Sequence, residues 1–423
     1  MVTILYNIFF HPLRKYPGPT FAAATRLPIT YTLIRGRGPQ WTRSLHEKYG
    51  QVVRVAPDEL SFADKQAWRD IYGSSPAAKY GMKRSDDFFA YFFDQQSTAA
   101  SIVTANEEDH RRLRRIFSQA FSKTALAAQE PLISTHVDLL IRRLKESSSK
   151  TVNMVDMYCF IIFDIMADLM FGESLHLLDN TEYTPWVKSV PGYIRASIIL
   201  ASLAQFPVLR FLMAISIPRI AAKHYKRFLK STSEKVSLRL SSMLGRPDII
   251  HFLSNPDEKM GLSRAEIDSA AVVLMLAGSD TTPSILCGLT YLLLNNGETL
   301  DKLVQEIRST FDSDSSINLK SVSKLEYLGA CIDEGFRAYP AAPIGFPRTV
   351  PSGGASISGG WVPEGTTVYV TPLAANYSPL NFRNPKSFTP ERWLPQSEAY
   401  YSGDQKAAVQ PFSLGPRDCL GKT

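Results

Sequence analysis

A single cysteine near the end of the chain lies in a setting that could hold a metal. The segment Phe412–Gly421 places Cys419 among glycines and a proline, with Arg417 two residues before it. Glycine permits tight turns and the close approach of a flat ligand, and a neighbouring arginine favours the thiolate, the metal-ligating form of cysteine. A lone cysteine more often packs inertly, but this one lies outside any apolar periodicity, so it is a candidate metal ligand.

A second candidate site interrupts the longest apolar segment. Ala277–Pro283 contains glycine, serine, aspartate and two threonines, which are poor formers of a helix interior. Gly278 lets another group approach the backbone, a threonine hydroxyl can bond to the carbonyl four residues earlier, and Pro283 removes a backbone donor. We expect a local distortion that exposes an acid, Asp280, and an alcohol, Thr281, to a buried cavity. A packing kink beside another helix would give the same pattern, but rule-breaking segments concentrate at functional sites.

An acid and a base, Glu334 and Arg337, stand three residues apart. On an exposed helix such a pair contributes about 0.2–0.5 kcal/mol. Its neighbours along the helix are apolar, so we expect a buried pair, which needs further partners. Arg392, in the segment Pro390–Trp393, is the candidate third member.

Hydrophobic periodicity and turn signals predict a mainly α fold with a minor β-rich portion. Helical patterns cover Pro39–Tyr49, 107–145 and 151–173. Strand patterns cover Val52–Ala56, Glu59–Phe62, Trp361–Val362 and Thr366–Val370, with Pro363–Gly365 as the turn between the last two. The C-terminal part is rich in loops. Residues 191–222 are apolar but interrupted by prolines and arginines, so we expect a surface helix pair there and not a membrane span.

Two further helices must carry the candidate groups. The first starts at a capping box, Ser263–Glu266, and stops at Asn295–Gly297. Its segment Ala270–Leu276 is apolar on every face, so we expect burial on all sides. The second helix starts at a capping box, Ser323–Glu326, and ends before Pro340.

Composition excludes several classes of protein. The 423 residues are 44% apolar and 21% charged, which excludes a disordered, collagen-like or coiled-coil chain. A net charge of +7 suits an acidic partner or an anionic membrane surface, and it is too small to indicate a nucleic-acid partner. No C-x-x-C pair is present, which argues against a disulfide scaffold or a zinc finger; the cysteines are Cys159, Cys287, Cys331 and Cys419.

Four motifs, in order, make the chain similar to a known family. It resembles a cytochrome P450 of the microsomal fungal type along essentially its whole length. The heme-binding motif F-x-x-G-x-R-x-C-x-G is matched over Phe412–Gly421, and the oxygen-activation motif A/G-G-x-D/E-T-T/S over Ala277–Thr282. The motif E-x-x-R is Glu334–Arg337, and P-E-R-F/W is Pro390–Trp393.

The resemblance implies roles for the candidate residues. Cys419 would be the axial thiolate ligand of the iron of heme b, which favours cleavage of the O–O bond. Asp280 and Thr281 would be the catalytic residues that relay protons during oxygen activation. The charged trio Glu334, Arg337 and Arg392 would lock the scaffold of the heme-binding loop.

The resemblance also implies contacts with the heme propionates, for which arginine is well suited. The candidate cofactor-binding residues are Arg114, His110, Arg348, Phe412 and Arg417. His110 stands where the family motif W-x-x-x-R has its tryptophan, a departure that still permits a hydrogen bond.

In this family four regions contact the substrate, and here they are Phe88–Thr104, 191–222, Val272–Ala277 and Ala341–Phe346. Their apolar and aromatic residues imply a lipophilic substrate, such as a terpenoid, a polyketide, or a fatty or aromatic acid. Most apolar residues of any protein belong to its core, which is the alternative. The candidate pocket residues are Val273, Ala277 and Ile344.

The implied activity is that of a heme-thiolate monooxygenase, which inserts one oxygen atom of O2 into a lipophilic molecule. Electrons would come from NADPH-cytochrome P450 reductase. We expect a role in fungal secondary metabolism, including mycotoxin biosynthesis, with catabolism of aromatic or fatty acids as an alternative. An isomerase or dehydratase that needs no external electrons is a further alternative, against which the presence of Asp280 and Thr281 argues.

The ends of the chain carry two more expectations. Residues 1–19 contain about ten apolar residues and a basic, proline-rich stretch, whereas crossing a bilayer core needs about 20 apolar residues. We expect a residual anchor and hinge over 1–19, a catalytic domain over 20–423, and a location on the cytosolic face of the endoplasmic reticulum membrane. The helix and hairpin that follow the ligand loop in the family have no counterpart before Thr423, so a truncated, non-catalytic remnant is another alternative.

Overall fold

Helices dominate the structure, and the strands of the described residues all belong to one unit, so the predicted fold class is confirmed. A computed structural model describes residues 1–74, 81–85, 99–206, 208–209, 211, 220–242, 248–254 and 261–422. The chain forms two compact units. The first contains Met1–Ser85 and Ile285–Cys419, and the second contains Asp86–Ser284 and Leu420–Thr423.

The N-terminal part of the first unit combines short helices with a strand pair. Its elements are α1 (Val2–Phe9), α2 (Thr20–Ala24), α3 (Leu27–Ile34), α4 (Gly38–Tyr49), β1 (Val52–Ala56), β2 (Glu59–Phe62), α5 (Lys65–Tyr72) and β3 (Lys83–Arg84). Helix α5 starts where it does because the Asp64 carboxylate accepts the N–H groups of Gln66 and Ala67, both at 2.9 Å. The first predicted helix and both early strands are confirmed.

The second unit is helical in the part of the chain that the structure describes. Its elements are α6 (Glu107–Ala120), α7 (Lys123–Glu146), α8 (Met154–Phe171), α9 (Leu177–Asn180), α10 (Pro185–Lys188), α11 (Val190–Ala204), α12 (Ile220–Ser241), α13 (Ile249–Leu253) and, as far as Ser284, α14 (Arg264–Leu294). The helical pattern over 107–145 is divided because the Ser122 hydroxyl caps α7, accepting the N–H of Ala125 at 3.2 Å.

The C-terminal part of the first unit returns to mixed structure. Its elements are α15 (Gly297–Thr310), α16 (Leu319–Val322), α17 (Glu326–Ala338), β4 (Arg348–Thr349), β5 (Ala355–Ile357), β6 (Gly360–Val362), β7 (Thr367–Val370) and α18 (Pro372–Tyr377). Helix α17 ends before Pro340, as predicted. After α18 the described chain has only short 3-10 turns, in agreement with the predicted loop-rich segment.

The described strands form a five-stranded sheet in the order β1-β2-β7-β4-β3 and a separate β5-β6 hairpin. Strands β2 and β7 are parallel, with Glu59 opposite Thr367 and Phe62 opposite Val370. The turn Pro363–Gly365 lies between β6 and β7, as predicted, and it connects two different sheets. Strand β7 pairs with β2 along one edge and with β4 along the other. Both of its edges are therefore occupied, and β6 pairs with β5 instead.

Helix α14 begins as predicted, because the Glu266 carboxylate accepts both the N–H and the hydroxyl of Ser263 at 2.8 Å. Ala270–Leu276 is buried throughout, also as predicted. The helix remains continuous across Ala277–Pro283, so the expected distortion does not break it. It ends at Leu294, directly before the predicted stop Asn295–Gly297, and Gly297 opens α15.

The capping box predicted at Ser323–Glu326 is wrong. Leu325 occupies the cap position of α17, and Ser323 lies outside the helix start. The free N–H groups of Tyr327 and Leu328 donate instead to the carboxylate of Glu306 on α15, at 2.8 and 2.9 Å. A carboxylate from a neighbouring helix thus satisfies the backbone donors and meets the positive end of the helix dipole.

The second unit has a continuous apolar core in which residues such as Phe117, Phe160, Met170 and Met275 are buried. Among the described helices, α14 is long and apolar enough to cross a bilayer by length and composition. Half of its most apolar window is buried inside the molecule, which is also typical of the core helix of a soluble protein.

Two regions expected to contact substrate fall partly outside the described residues. Of Phe88–Thr104 the structure describes 99–104, and of 191–222 it leaves out 207, 210 and 212–219. The described part of the second region forms α11 and the first residues of α12.

Candidate functional site

The cysteine loop of the first unit closes on itself. The Cys419 N–H donates to the Phe412 carbonyl at 2.8 Å, and the Asp418 N–H donates to the Gly415 carbonyl at 3.1 Å. Ser413 and Gly415 adopt left-handed backbone conformations, with φ of 61° and 79°. Cys419 is exposed, so the loop presents the thiol and does not bury it in a core.

The loop is fixed to the end of α5 by close packing. A Cβ on Gly415 would lie 2.0 Å from the Tyr72 carbonyl oxygen, so both this contact and the left-handed φ require glycine. At the other end of the loop, the Phe412 ring packs edge-on against Phe336 of α17, with ring centroids 5.4 Å apart. The loop therefore has packed supports at two points.

The structure brings together the charged trio that the sequence singled out. Arg337 donates to both carboxylate oxygens of Glu334, from Nη2 at 2.7 Å and from Nε at 2.8 Å. Arg392 Nε lies 3.1 Å from the same carboxylate. All three side chains are 0% exposed, so this is a buried ion network and not a surface pair.

Further partners complete this network. The Thr389 N–H and the Trp393 indole N–H donate to Glu334 at 2.8 and 2.9 Å, and Asp404 pairs with Arg392. Two acids and two bases balance in charge, as burial requires. Sequence reasoning missed Asp404, because no motif or helical spacing connects it to Arg392.

Arg348 is a buried cation with unused hydrogen-bonding capacity. Its side chain is 5% exposed, and in the part of the chain that the structure describes its Nε and Nη1 have no hydrogen-bond partner. Burial lowers the pKa of Arg348, an effect that nearby Tyr72 opposes. Buried donors of this kind call for an acceptor, and a carboxylate is the natural one for arginine.

The remaining predicted residues of the first unit lie in different settings. Arg417 is half-buried, two residues before Cys419. Ile344 packs against a core cluster that includes Val53, Val55 and Tyr369, which is the structural alternative to a pocket role.

Helix α6 of the second unit carries His110 and Arg114 one turn apart on one face. His110 is buried and Arg114 is half-buried. The start of α6 faces the start of α14, where Arg112 forms an ion pair with Glu266. This pair fixes the helix that carries both predicted residues.

Asp280 and Thr281 lie on an exposed stretch of α14, together with Ala277, and do not face the buried cavity that the sequence predicted. The Thr281 hydroxyl donates to the Ala277 carbonyl at 2.9 Å, the expected back-bond. Among the described residues nothing donates a hydrogen bond to the Asp280 carboxylate. The side chain reaches solvent, yet the protein around it desolvates the carboxylate enough to raise its pKa. A raised pKa suits a group that must gain and lose protons.

Gly278, on a different side of α14 from this exposed stretch, allows the side chain of Met166 to pack against the helix backbone. A Cβ on Gly278 would lie 2.7 Å from the Met166 sulfur of α8. The group that approaches the backbone, as the sequence predicted, is therefore a thioether from a neighbouring helix. Val273, one turn before Ala277, is 4% exposed and belongs to the core in this structure.

The donor set fits an iron held by a macrocycle. Within the described ranges no group of three His, Cys, Asp or Glu side chains could hold a metal ion. A single cysteine thiolate can hold the iron of heme, because the macrocycle supplies most of the other donors. In the first unit, which also contains the cysteine loop, Arg348 keeps two buried donors without a partner among the described residues, which suits an acidic ligand.

Comparison with known proteins agrees with this chemistry. The family described as Cytochrome P450 matches residues 24–423. Cytochrome P450 monooxygenase lcsI of Purpureocillium lilacinum is 40% identical over 431 residues, which cover 100% of this chain and 82% of that protein. Cytochrome P450 monooxygenase FUM2 of Gibberella moniliformis is 39% identical, covering 99% and 89%. Averantin hydroxylase of Dothistroma septosporum is 39% identical, covering 100% and 79%.

Proposed function

The chain belongs to the cytochrome P450 family, and from that premise we propose that it oxidises a lipophilic small molecule in fungal secondary metabolism. Enzymes of this family are heme-thiolate monooxygenases. The observation that carries the proposal is the similarity, along the whole chain, to fungal proteins named as monooxygenases and as a hydroxylase of averantin. Mycotoxin biosynthesis is the more specific setting that we propose.

We propose that Cys419 is the iron ligand and that Arg348 binds a heme propionate. Bound heme supplies the activation of dioxygen, and its thiolate ligand favours cleavage of the O–O bond. The exposed thiol on a closed loop and the two unpartnered nitrogens of Arg348 support these assignments. Arg417, Arg114 and His110 are proposed as further propionate donors, and Phe412 as a contact of the ring.

The buried network around Glu334 would act on the segment that leads to the ligand loop. Arg392 and Trp393 lie in that segment and bond to Glu334 on α17. This holds the start of the loop at a fixed place relative to the helix, so the thiol needs no reorganisation to reach the iron. Interactions that orient a metal ligand before the metal binds give the metal a defined environment.

We propose that Asp280 and Thr281 deliver protons. Burial raises the pKa of Asp280, so its carboxyl group holds a proton at a higher pH than an ordinary aspartate does. Thr281 can turn its hydroxyl away from the Ala277 carbonyl to donate elsewhere, because a hydroxyl rotates freely. Both groups lie on an exposed stretch of α14, where small molecules can reach them.

We propose a lipophilic substrate from the apolar character of the three residues that the resemblance to the family implies as substrate contacts. Ala277 adds an exposed methyl group beside Asp280, while Val273 and Ile344 are apolar and largely enclosed. A small, lipophilic substrate suits these residues, because the few polar groups nearby are needed for proton transfer. Of the three, Ala277 has the most accessible side chain.

We propose that the chain binds the cytosolic face of the endoplasmic reticulum membrane and receives electrons from NADPH-cytochrome P450 reductase. Helix α1 and the residue after it expose Val2, Phe9 and Phe10 by 83%, 55% and 71%. Arg14 and Lys15 follow directly, and such a combination of apolar and basic residues favours an anionic lipid surface. The net charge of +7 suits docking to an acidic flavoprotein.

A carbon monoxide difference spectrum of the reduced protein tests the proposal first. We expect a strongly red-shifted Soret band, lost in Cys419→Ser and retained in the control Cys287→Ser. Reconstitution with the reductase, NADPH and isotopically labelled O2 should then give a product that contains one labelled atom. Product formed without O2 would indicate an isomerase or dehydratase, and failure to take up heme would indicate a non-catalytic chain.

A further inference from the structure

Tyr72, the last residue of α5, lies beside the buried cation Arg348. The guanidinium carbon of Arg348 is 5.4 Å from the centre of the Tyr72 ring, within range of a cation–π interaction. Tyr72 is 2% exposed, and burial raises its pKa to about 12. The phenol is therefore neutral at physiological pH, and the ring face is the part of Tyr72 that meets the charge.

The surroundings of Arg348 make this ring important. Within the described residues, no carboxylate forms a salt bridge with Arg348. Its position on β4 is directly opposite Arg84 on β3, so the strand register adds a second positive charge. Like charges opposite each other destabilise a strand pair. Until an anion binds, the Tyr72 ring therefore stabilises the charge of the buried Arg348 guanidinium.

The Tyr72 hydroxyl ties the same ring to two further segments. It donates to the Phe346 carbonyl at 3.0 Å, two residues before Arg348, and it accepts the N–H of Val370 on β7 at 3.3 Å. Both ends of the ring are thus held, one by the α5 backbone and one by these bonds. The orientation of the ring face toward Arg348 is consequently fixed.

The backbone of Tyr72 also supports the ligand loop. Its carbonyl oxygen occupies the space where a Cβ on Gly415 would lie. The preceding turn of α5 adds Trp68, whose ring packs on Tyr72 with centroids 5.1 Å apart and whose Nε1–H donates to the Ala408 carbonyl at 3.0 Å. One helix end therefore touches the buried cation and the loop that carries Cys419.

We propose that Tyr72 is a positioning residue that holds the Arg348 cation and the Cys419 loop in a fixed relation to each other. The proposal rests on the proposed function, in which Arg348 binds a propionate and Cys419 binds the iron. A heme with two fixed attachment points would then bind without either part moving. Sequence reasoning missed Tyr72, although its spacing of four from Trp68 on a short helix marks an aromatic pair.

The test compares binding of heme with binding of heme dimethyl ester, which lacks the propionate charges, by the full chain. In Tyr72→Leu we expect heme affinity to fall roughly tenfold, as a desolvated cation–π contact supports, and ester affinity to change much less. In an Arg348→Met background the same substitution should have little further effect on heme affinity. Tyr31→Leu is the matched control, since that exposed ring lies 5.5 Å from Arg35.

Tyr72→Phe keeps the ring and removes the hydroxyl bonds, so it serves if the leucine variant does not fold. We expect near-normal preference for heme over its ester and a smaller fraction of the red-shifted carbon monoxide band. The reason is that the hydroxyl bonds to Phe346 and Val370 help to fix the position of Tyr72, whose carbonyl supports the loop. Equal losses for heme and ester in Tyr72→Leu, or a phenylalanine variant identical to the parent, would overturn the positioning role. If Arg348→Met itself binds heme and ester as the parent does, the propionate assignment fails, and this proposal fails with it.

Discussion

Glu334 and Arg337 form a two-pronged ion pair, 2.7 and 2.8 Å long, in which neither side chain has any exposure to solvent. The two residues lie about one turn apart on α17, and water cannot reach the charges. Such a pair contributes little net stability while intact, but it becomes costly when one partner is lost, because the remaining charge stays buried.

Substituting Glu334→Gln should therefore lower the free energy of unfolding by about 3–5 kcal/mol, since Arg337 and Arg392 would lose their shared counter-charge. Urea denaturation followed by circular dichroism measures this loss. The matched control is Glu146→Gln, which breaks an exposed pair of the same spacing with Arg143 and should cost at most about 0.5 kcal/mol. If the two substitutions lowered the free energy of unfolding equally, Glu334 would not be the counter-charge of a buried ion network.

Substituting Gly415→Ala should reduce formation of the thiolate-ligated heme protein. The added methyl group meets the Tyr72 carbonyl at 2.0 Å, and the left-handed φ of 79° adds backbone strain. The red-shifted carbon monoxide band should fall severalfold. The control is Gly403→Ala in the same C-terminal segment, where nothing lies within 4 Å of the added carbon and the spectrum should not change. A normal spectrum for Gly415→Ala would show that the loop tolerates displacement.

Stability should fall as the pH drops below about 6.5, in part because of His46. Burial lowers the pKa of His46 to about 4, from a usual value of 6.5. The ring bonds to the Gly50 carbonyl and the Ser61 hydroxyl, each at 2.8 Å, an arrangement satisfied by neutral histidine. Unfolded chains take up this proton first, so the stabilisation is present above pH 6.5 and is lost as the pH approaches 4.

Between pH 7 and pH 5 we expect a loss of about 2 kcal/mol from this group. Urea midpoints of the parent and of His46→Gln at both pH values measure it. All other titrating groups contribute alike to both proteins, so the difference between the two pH dependences isolates His46. Parallel pH dependences would mean that His46 has a normal pKa in the folded chain.

Substituting Asp280→Asn or Thr281→Ala should slow product formation by at least tenfold and leave heme binding unchanged, because general acid catalysis contributes at least that much. The measurement is the rate of product formation in the reconstituted system, together with the product formed per NADPH consumed. Thr310→Ala is the control for Thr281, since its hydroxyl makes the same bond to a carbonyl four residues earlier, that of Glu306, at 2.7 Å. A normal product yield in both variants would exclude the proposed proton delivery.

Local patterns predicted most of the elements. Strand patterns predicted β1 and β2 with their observed ends, and the capping box at Ser263 predicted the start of α14. In each case the deciding interactions lie within a few residues of one another. The contact between Glu334 and Arg392 was predictable because both residues belong to recognisable motifs.

Interactions between distant segments account for the errors. Ser323 has the right sequence to cap α17, but Glu306 on another helix satisfies the same backbone donors. The turn Pro363–Gly365 was predicted correctly, but no local pattern shows that β7 pairs with β2, from the other end of the first unit. Tyr72 and Asp404 act through contacts that no local spacing reveals.

The parallel pairing of β2 with β7 has a consequence for synthesis on the ribosome. The residues that pair, such as Glu59 and Thr367, are separated by about 300 positions, and at roughly 5–20 residues per second the ribosome needs about 15–60 s to make that length. Throughout this interval β2 can pair with β1 alone, and its other edge stays open to association with other chains. The nascent chain is therefore a candidate client for chaperones that shield strand edges until β7 emerges.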